Sequence, residues 1–163
     1  MLNTALIDDL VCFLNETLKE MRLPTKDEDV ERAPTAYDGY LPPKKNQSKR
    51  RDDSDTDQED FPYVIVRYLG EEDTQYKENV VTLRVLIGTY SKDEQHGWRD
   101  TLNVMNRIKI ALGKKQTIGA ASLTGTISMA LFEDHPRPMW HGVMEVQFNL
   151  PQVVWEGSIL DDY

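Results

Sequence analysis

The residues best suited to chemistry are three aspartates at alternate positions in the acidic run DDSDTDQED. Asp53, Asp55 and Asp57 have the spacing that opens a calcium-binding loop. The remainder of such a loop is missing, because Gln58 stands where the sharp turn requires glycine and Val64 stands where a bidentate glutamate is required. The run is therefore interpreted as a solvated stretch of charge.

The histidines are the other potential metal ligands. With the carboxylates beside them they make the set His96, Glu133, Asp134, His135 and His141. No two histidines have the local spacing of a zinc site, so turn and surface positions are favoured. We expect no bound metal.

The sequence offers little support for an enzyme. No serine, cysteine or threonine lies in a nucleophile signature such as GxSxG, and Cys12 lies in a predicted helix without a nearby base. ALGKKQT resembles the end of a phosphate-binding loop, but its first glycine is missing and it follows a predicted helix instead of a strand. No pattern selects a general acid and base among the carboxylates. We predict a protein that is not an enzyme and needs no cofactor; a metal-dependent hydrolase or nuclease is the least favoured alternative.

Charge sets the classes of partner. The basic stretch KKNQSKRR, residues 44–51, could contact phosphate, but the acidic run beside it cancels much of its field and no aromatic residues interleave with it. The net charge of -9 and the pI near 4.8 disfavour nonspecific binding to DNA or to anionic membranes.

Cellular location follows from three further features. The single cysteine excludes an internal disulfide framework and suits a reducing compartment. The N-terminus MLNTALIDDL lacks a basic region, and no apolar run approaches the roughly 20 residues that span a bilayer. We expect a protein made in the cytoplasm, with no membrane contact.

A strand followed by a helix, residues 83–112, forms the centre of the predicted fold. Apolar residues alternate at Val81, Leu83, Val85 and Ile87, as in a strand with one buried face. A helix is predicted from about Asp93, capped by Ser91 or Asp93 and ended by Gly113. Its predicted apolar stripe consists of Trp98, Leu102, Met105, Ile108 and Leu112.

The rest of the chain supplies a second helix and a second pair of strands. Residues 4–22 have helical periodicity, with Cys12 as a packing residue beside the apolar stripe. The hairpins are predicted from YVIVRYLG with VVTLRVLIGTY, joined by the polar connection EEDTQYKEN, and from residues 126–132 with MWHGVMEVQFNL. The predicted fold is α+β: a mostly antiparallel four-stranded sheet of two hairpins, packed with the N-terminal and central helices.

We expect one domain over residues 1–163. Residues 23–60 form a long charged loop containing prolines, and residues 151–163 form a C-terminal tail. Because a loop of that composition cannot bury enough apolar surface to order itself, we expect an ordered form of it to lean on another chain.

Three stretches resemble a family of tailed-bacteriophage proteins, the tail terminator or tail completion proteins. They are FPYVIVRYLGEEDT, VTLRVLIGTYSKDEQHGWRDTLNVMNRIKIAL and ALFEDHPRPMWHGVMEVQFNLPQV, which together cover about residues 61–153. The turn GTYSKDEQHGWRD and its flanking strand and helix are the most specific part. The family fold is a sheet flanked by helices, which agrees with the prediction from periodicity.

The resemblance implies a structural protein of the virion. Such proteins form a homo-hexameric ring at the head-proximal end of the tail, stop polymerisation of the tail tube protein, and provide a docking surface for the head or neck. DNA would pass through the ring without specific binding. The alternative within the virion is a neck or head-completion connector protein.

A closed ring requires two different complementary patches on each subunit. The candidates are the hairpin tip, the turn before the central helix, the mixed-charge loop, and Trp140 as an anchor if it is exposed. For Trp140 a core position is an equal alternative, whereas Trp98 is expected in the core. The candidate interface residues are Glu71, Glu72, Lys77, Lys92, Arg99, Trp140, Lys49, Arg50 and Arg51.

Overall fold

The computed structural model describes residues 1–43, 58–134 and 136–153. In chain order its elements are α1 (Leu2–Leu18), β1 (Leu23–Pro24), β2 (Glu31–Arg32), β3 (Thr35–Asp38), a 3-10 turn (Gln58–Asp60), β4 (Tyr63–Thr74), β5 (Glu78–Tyr90), α2 (Trp98–Lys115), β6 (Thr117–Ile118), β7 (Ala121–Leu131) and β8 (Met139–Leu150). The α+β class with an N-terminal and a central helix agrees with the sequence prediction.

The prediction of a four-stranded, mostly antiparallel sheet was wrong. The main sheet is a curled, mixed sheet of six strands in the order β3-β4-β5-β8-β7-β6, and β1 pairs with β2 in a separate two-stranded sheet. β3 runs parallel to β4, and the other neighbours are antiparallel. The added strands escaped detection because two to four residues are too few to display a period of two.

The segment predicted as a long loop therefore contains β1, β2 and β3. Thr35–Asp38 joins the main sheet through the register Thr35↔Tyr63 to Asp38↔Val66. The outer side of this strand is held by α1, since Asn15 accepts the Ala36 N–H at 2.8 Å and its amide lies 3.4 Å from the Ala36 carbonyl oxygen. A side chain from a distant helix thus completes the hydrogen bonding of β3.

The first hairpin is longer than predicted. β4 and β5 remain paired as far as Thr74↔Glu78, so most of the expected polar connection is strand. Only residues 75–77 form the turn, in which Tyr76 has a φ of 62°. The charged residues do not prevent pairing, because backbone hydrogen bonds hold the ladder whatever the side chains are.

The core lies between one face of the sheet and the two helices. The alternation predicted for β5 is confirmed, since Val81, Leu83, Val85 and Ile87 are all buried. The buried residues packed against them are Leu6, Leu10, Leu14 and Leu18 of α1, Val104, Met105, Ile108 and Leu112 of α2, and Met144, Val146 and Phe148 of β8. Cys12 is exposed on α1, so its prediction as a packing residue was wrong.

The central helix begins and ends later than predicted. Residues 94–97 form turns, in which the carboxylate of Asp93 accepts the N–H groups of Gln95 and His96 at 3.0 and 3.1 Å. These bonds to His96 and Gln95 hold the pKa of Asp93 below its usual range. At the other end Gly113 lies inside α2, and Gln116 terminates it in the left-handed conformation with φ 60°.

The buried stripe of α2 is rotated from the predicted one. Thr101 and Val104 are fully buried, while Leu102 and Trp98 are only partly buried. An apolar period does not include Thr101, because threonine is polar; its hydroxyl and that of Thr89 on β5 lie 2.7 Å apart in the core. Each hydroxyl satisfies the other, which permits two buried polar groups at the contact between helix and sheet.

Candidate subunit interface

Glu71 lies near the tip of the first hairpin and is engaged within its own chain. Its carboxylate accepts hydrogen bonds from Asn79 Nδ2 at 2.9 Å, Tyr68 Oη at 3.0 Å and Asn3 Nδ2 at 3.2 Å. The bonds from Asn79, and then from Asn3 and Tyr68, hold the pKa of Glu71 below its usual range. Glu71 therefore ties the hairpin to the start of α1.

The other predicted hairpin residues are presented to solvent. Glu72 is exposed on β4, and Lys77 is exposed in the turn. Asp73 accepts a hydrogen bond from Gln152 Nε2 at 2.9 Å, which fixes the chain beyond β8 against the tip. The hairpin tip is thus held in place by hydrogen bonds and has a predominantly acidic surface.

Lys92 and Arg99 lie on either side of the turn that precedes α2. Lys92 Nζ is 3.3 Å from the Glu28 carboxylate, and the Arg99 guanidinium lies 5.4 Å from the centre of the Trp98 ring. Glu94 in the same turn is 3.3 Å from Arg137. Exposed pairs of this kind contribute little to stability, so these side chains can exchange partners at an interface.

Trp140 is buried, with 5% of its surface exposed, and so lacks the exposure that an anchoring role requires. Its indole Nε1 donates to the Ser91 carbonyl oxygen at 3.1 Å, and Gly97 packs directly against the ring. Trp140 therefore packs against the turn that precedes α2 and holds its backbone in place. Trp98, which was expected in the core, is half-buried and donates its indole N–H to the Gln95 carbonyl oxygen at 3.0 Å.

The two groups of predicted interface residues lie at opposite ends of β5. The hairpin tip precedes Glu78, whereas Lys92 follows Tyr90, and a strand of 13 residues separates them by roughly 40 Å. The structure therefore brings Lys92 and Arg99 to one turn but not to the hairpin residues of the same chain. Lys49, Arg50, Arg51 and the acidic residues Asp53, Asp55 and Asp57 lie outside the described residues.

Sequence reasoning missed a surface on β7. This strand, ASLTGTISMAL, has 11 residues and no charged side chain, in a protein with 29% charged residues. It pairs with β8 on one side. On the other side, among the described residues, β6 pairs with Ala121 and Ser122, and the Leu123 N–H donates to the Gln116 carbonyl oxygen at 2.7 Å. The absence of charge over a whole strand is the signal in the sequence that could have indicated it.

A groove lies beside β7 on the sheet face that is turned away from the helices. It encloses about 300 Å³, and its walls are Arg84, Leu86, Ser128, Met129, Ala130, Phe132, Val143 and Glu145. Arg84 and Glu145 pair across it at 3.1 Å, and Phe132 is 43% exposed. Part of the sheet next to the β7 edge is therefore apolar and open to solvent.

The described residues contain no group of three or more histidine, cysteine, aspartate or glutamate side chains that could hold a metal ion. His96 lies 3.6 Å from Asp93 in the turn, and His141 packs against the rings of Phe61 and Phe132. His135 lies outside the part of the chain that the structure describes. Over that same part, no helix has the length and apolar character needed to cross a bilayer.

No protein-family model matches the sequence, and no curated protein matches it.

Proposed function

We propose that this protein is a tail terminator of a tailed bacteriophage, a structural protein of the virion. Subunits assemble into a homo-hexameric ring that caps the tail tube, ends polymerisation of the tube protein and docks the head or neck. The observation that carries the proposal is the separation of two charged surfaces, the acidic hairpin tip and the mixed-charge turn before α2, by the length of β5. A closed ring is built from heterologous contacts, which need two different patches far apart on each subunit.

The charges of the hairpin tip and of α2 support contacts between copies. The hairpin tip presents Glu72 and Glu78 as exposed carboxylates. The helix after the turn, α2, carries five basic residues against the single acidic Asp100: Arg99, Arg107, Lys109, Lys114 and Lys115. Among the described elements α2 is therefore strongly basic in a subunit of net charge -9, and the acidic hairpin tip of a neighbour is attracted to it.

The same net charge suits passage of DNA. An acidic ring repels the phosphate backbone, so DNA can move through it without being held. The stretches that resemble tail terminators, about residues 61–153, include the hairpin, the turn and α2, which are the elements that carry the two charged surfaces.

Electron microscopy of particles assembled without this gene tests the proposal. We expect overlong tails of irregular length lying apart from filled heads, because nothing would stop the tube protein from polymerising. The control is the same deletion supplied with the wild-type gene in trans, which should restore uniform tails. Tails of normal length beside heads that have lost DNA would assign the protein to the neck, and intact infectious particles would overturn both structural roles.

A further inference from the structure

Besides the two-residue edge of β6, the described residues form three stretches of outer edge, at β3, at β4 beyond β3 and at β7 beyond β6, and features of the first two limit strand pairing. The edge at β3 is closed by Asn15, which accepts the Ala36 N–H at 2.8 Å. The edge of β4 beyond β3 carries Glu71, Glu72 and Asp73, whose like charges oppose pairing of this edge with its own copy.

The third edge, at β7, has no such protection over its final residues. A bulge between Leu123 and Ile127 interrupts the first part of the strand, and residues 127–131 then pair regularly with β8. These five residues, ISMAL, contain neither charge nor proline. Among the described residues no strand pairs with their outer side.

The backbone groups on that outer side can be assigned. Phe132 donates its N–H to the His141 carbonyl oxygen at 3.0 Å, so Phe132 and His141 face each other as a hydrogen-bonded pair. Because such pairs alternate along an antiparallel ladder, the N–H and C=O groups of Ile127, Met129 and Leu131 point away from β8. They form a regular row of donors and acceptors at an uncharged edge.

We propose that this row accepts a strand from a second copy of the protein, namely residues 70–74 of its β4. This inference rests on the proposed ring and names the contact that joins its subunits. Residues 70–74 pair regularly with β5 after the irregularity at Tyr68–Gly70, and no described strand covers their other side. Among the described residues each subunit therefore has two regular five-residue stretches that no strand covers, one on each side of the sheet, and joining them continues the sheet from copy to copy.

Electrostatic attraction favours residues 70–74 of another copy over a second β7 strand as the partner of the β7 edge. Residues 70–74, GEEDT, carry three carboxylates, of which those of Glu71 and Asp73 already accept hydrogen bonds within their own chain, while Glu72 is exposed. The helix packed over β7 is α2 with its five basic residues. Residues 127–131 themselves carry no charge, so these carboxylates meet none on the strand with which they pair. The head-to-tail contact has the heterologous form that a ring needs, whereas β7 paired with its own copy would close a dimer.

The groove on the sheet face turned away from the helices adjoins the same edge of β7. Ser128 and Ala130 are exposed and line the groove together with Phe132 and Val143. Side chains of an added strand alternate between the two faces of the sheet, so half of them would continue this apolar surface. A carboxylate placed at residue 130 would face the incoming acidic strand directly.

Three variants of the full chain, studied by light scattering after size-exclusion chromatography, test the contact. We expect wild-type protein to be oligomeric and Ala130→Glu to raise the dissociation constant at least about tenfold, because like charges on adjacent strands repel. Ser122→Glu is the matched control, since it places the same charge at an exposed position of β7 whose edge β6 already covers. Adding Glu72→Lys to Ala130→Glu should restore assembly.

Hydrogen exchange gives a second readout that needs no substitution. The amides of Ile127, Met129 and Leu131 should exchange more slowly in the oligomer than in diluted monomer. An oligomer that survives Ala130→Glu, or an Ala130→Glu defect that Glu72→Lys leaves unrepaired, would overturn the pairing with β4. Monomeric wild-type protein would overturn it too. The tail-length experiment judges the proposed function separately, because overlong tails in the deletion would stand whichever surface joins the subunits.

Discussion

The carboxylate of Glu71 shows that a residue predicted for an interface also has a role within its own chain. Three donors from α1, β4 and β5 surround it. The charges still available for contacts between copies are those of neighbours such as Glu72, which is exposed.

Replacing Glu71 with glutamine should make stability less dependent on pH. The folded-state pKa of Glu71 is lowered, chiefly by Asn79, so its stabilisation is complete above the unfolded-state pKa, at roughly pH 5 and higher. It is lost as the pH falls through the folded-state pKa. Melting temperatures of wild type and Glu71→Gln should therefore differ at pH 7 and converge in acid. Glu72→Gln is the control, and its melting temperature should follow that of wild type at each pH. A difference in melting temperature between wild type and Glu71→Gln that grows in acid would contradict the lowered pKa of Glu71.

Gly97 should tolerate no side chain. A Cβ there would lie against the Trp140 indole and 2.8 Å from the Asp93 carbonyl oxygen. We expect Gly97→Ala to lower the free energy of unfolding by about 1–3 kcal/mol in urea denaturation, as overpacking does. Gly113→Ala is the matched control, because nothing lies within 4 Å of its Cβ and the residue is helical. Alanine there should raise stability by about 0.5–1 kcal/mol. Equal effects of the two substitutions would contradict the packing argument.

At the scale of elements, β3 depends on a helix that is distant in sequence. Asn15 supplies the donor and acceptor that an edge strand lacks, so a strand of four residues can persist at the side of the sheet. Its place in the middle of a segment rich in charge and proline explains why periodicity failed to predict it.

Asn15→Ala should therefore loosen β3 specifically. Loss of these bonds is expected to cost about 1–2 kcal/mol of unfolding free energy, because the Ala36 backbone groups lose their partner. Amide exchange at Ala36 should accelerate more than exchange within β5. Glu16→Ala, an exposed change on the same helix, should stay within about 0.5 kcal/mol of wild type. Unchanged exchange at Ala36 in Asn15→Ala would show that β3 is held by other means.

At the scale of the whole molecule, the negative charge should prevent retention of DNA. We expect no shift of a labelled DNA duplex in gel electrophoresis at 0.15 M salt, with a dissociation constant weaker than about 10⁻⁴ M, because repulsion of phosphate outweighs the basic stretch at residues 44–51. A basic DNA-binding protein of similar size serves as the positive control. Binding that weakens steeply with added salt would show that this stretch acts independently of the net charge.

Helices and strands with a regular apolar period could be predicted from the sequence. The alternation from Val81 to Ile87, the final hairpin strand and the helical period ending at Leu112 are local properties of the chain, and each element lies where it was expected to within a few residues. The net charge and the α+β class were equally accessible, since composition and periodicity require no knowledge of neighbours.

Which of these elements pair or pack with one another is known only from the tertiary structure. The number of strands, the burial of Trp140 and the open edge of β7 each depend on what lies alongside in space. A strand's backbone presents the same donors and acceptors whether or not another strand covers them, so its sequence does not state which sides are occupied. For that reason the sequence predicts only part of the candidate interface. Its charged residues can be located along the chain, but which strand edge lies beside them is known only from the assembled sheet.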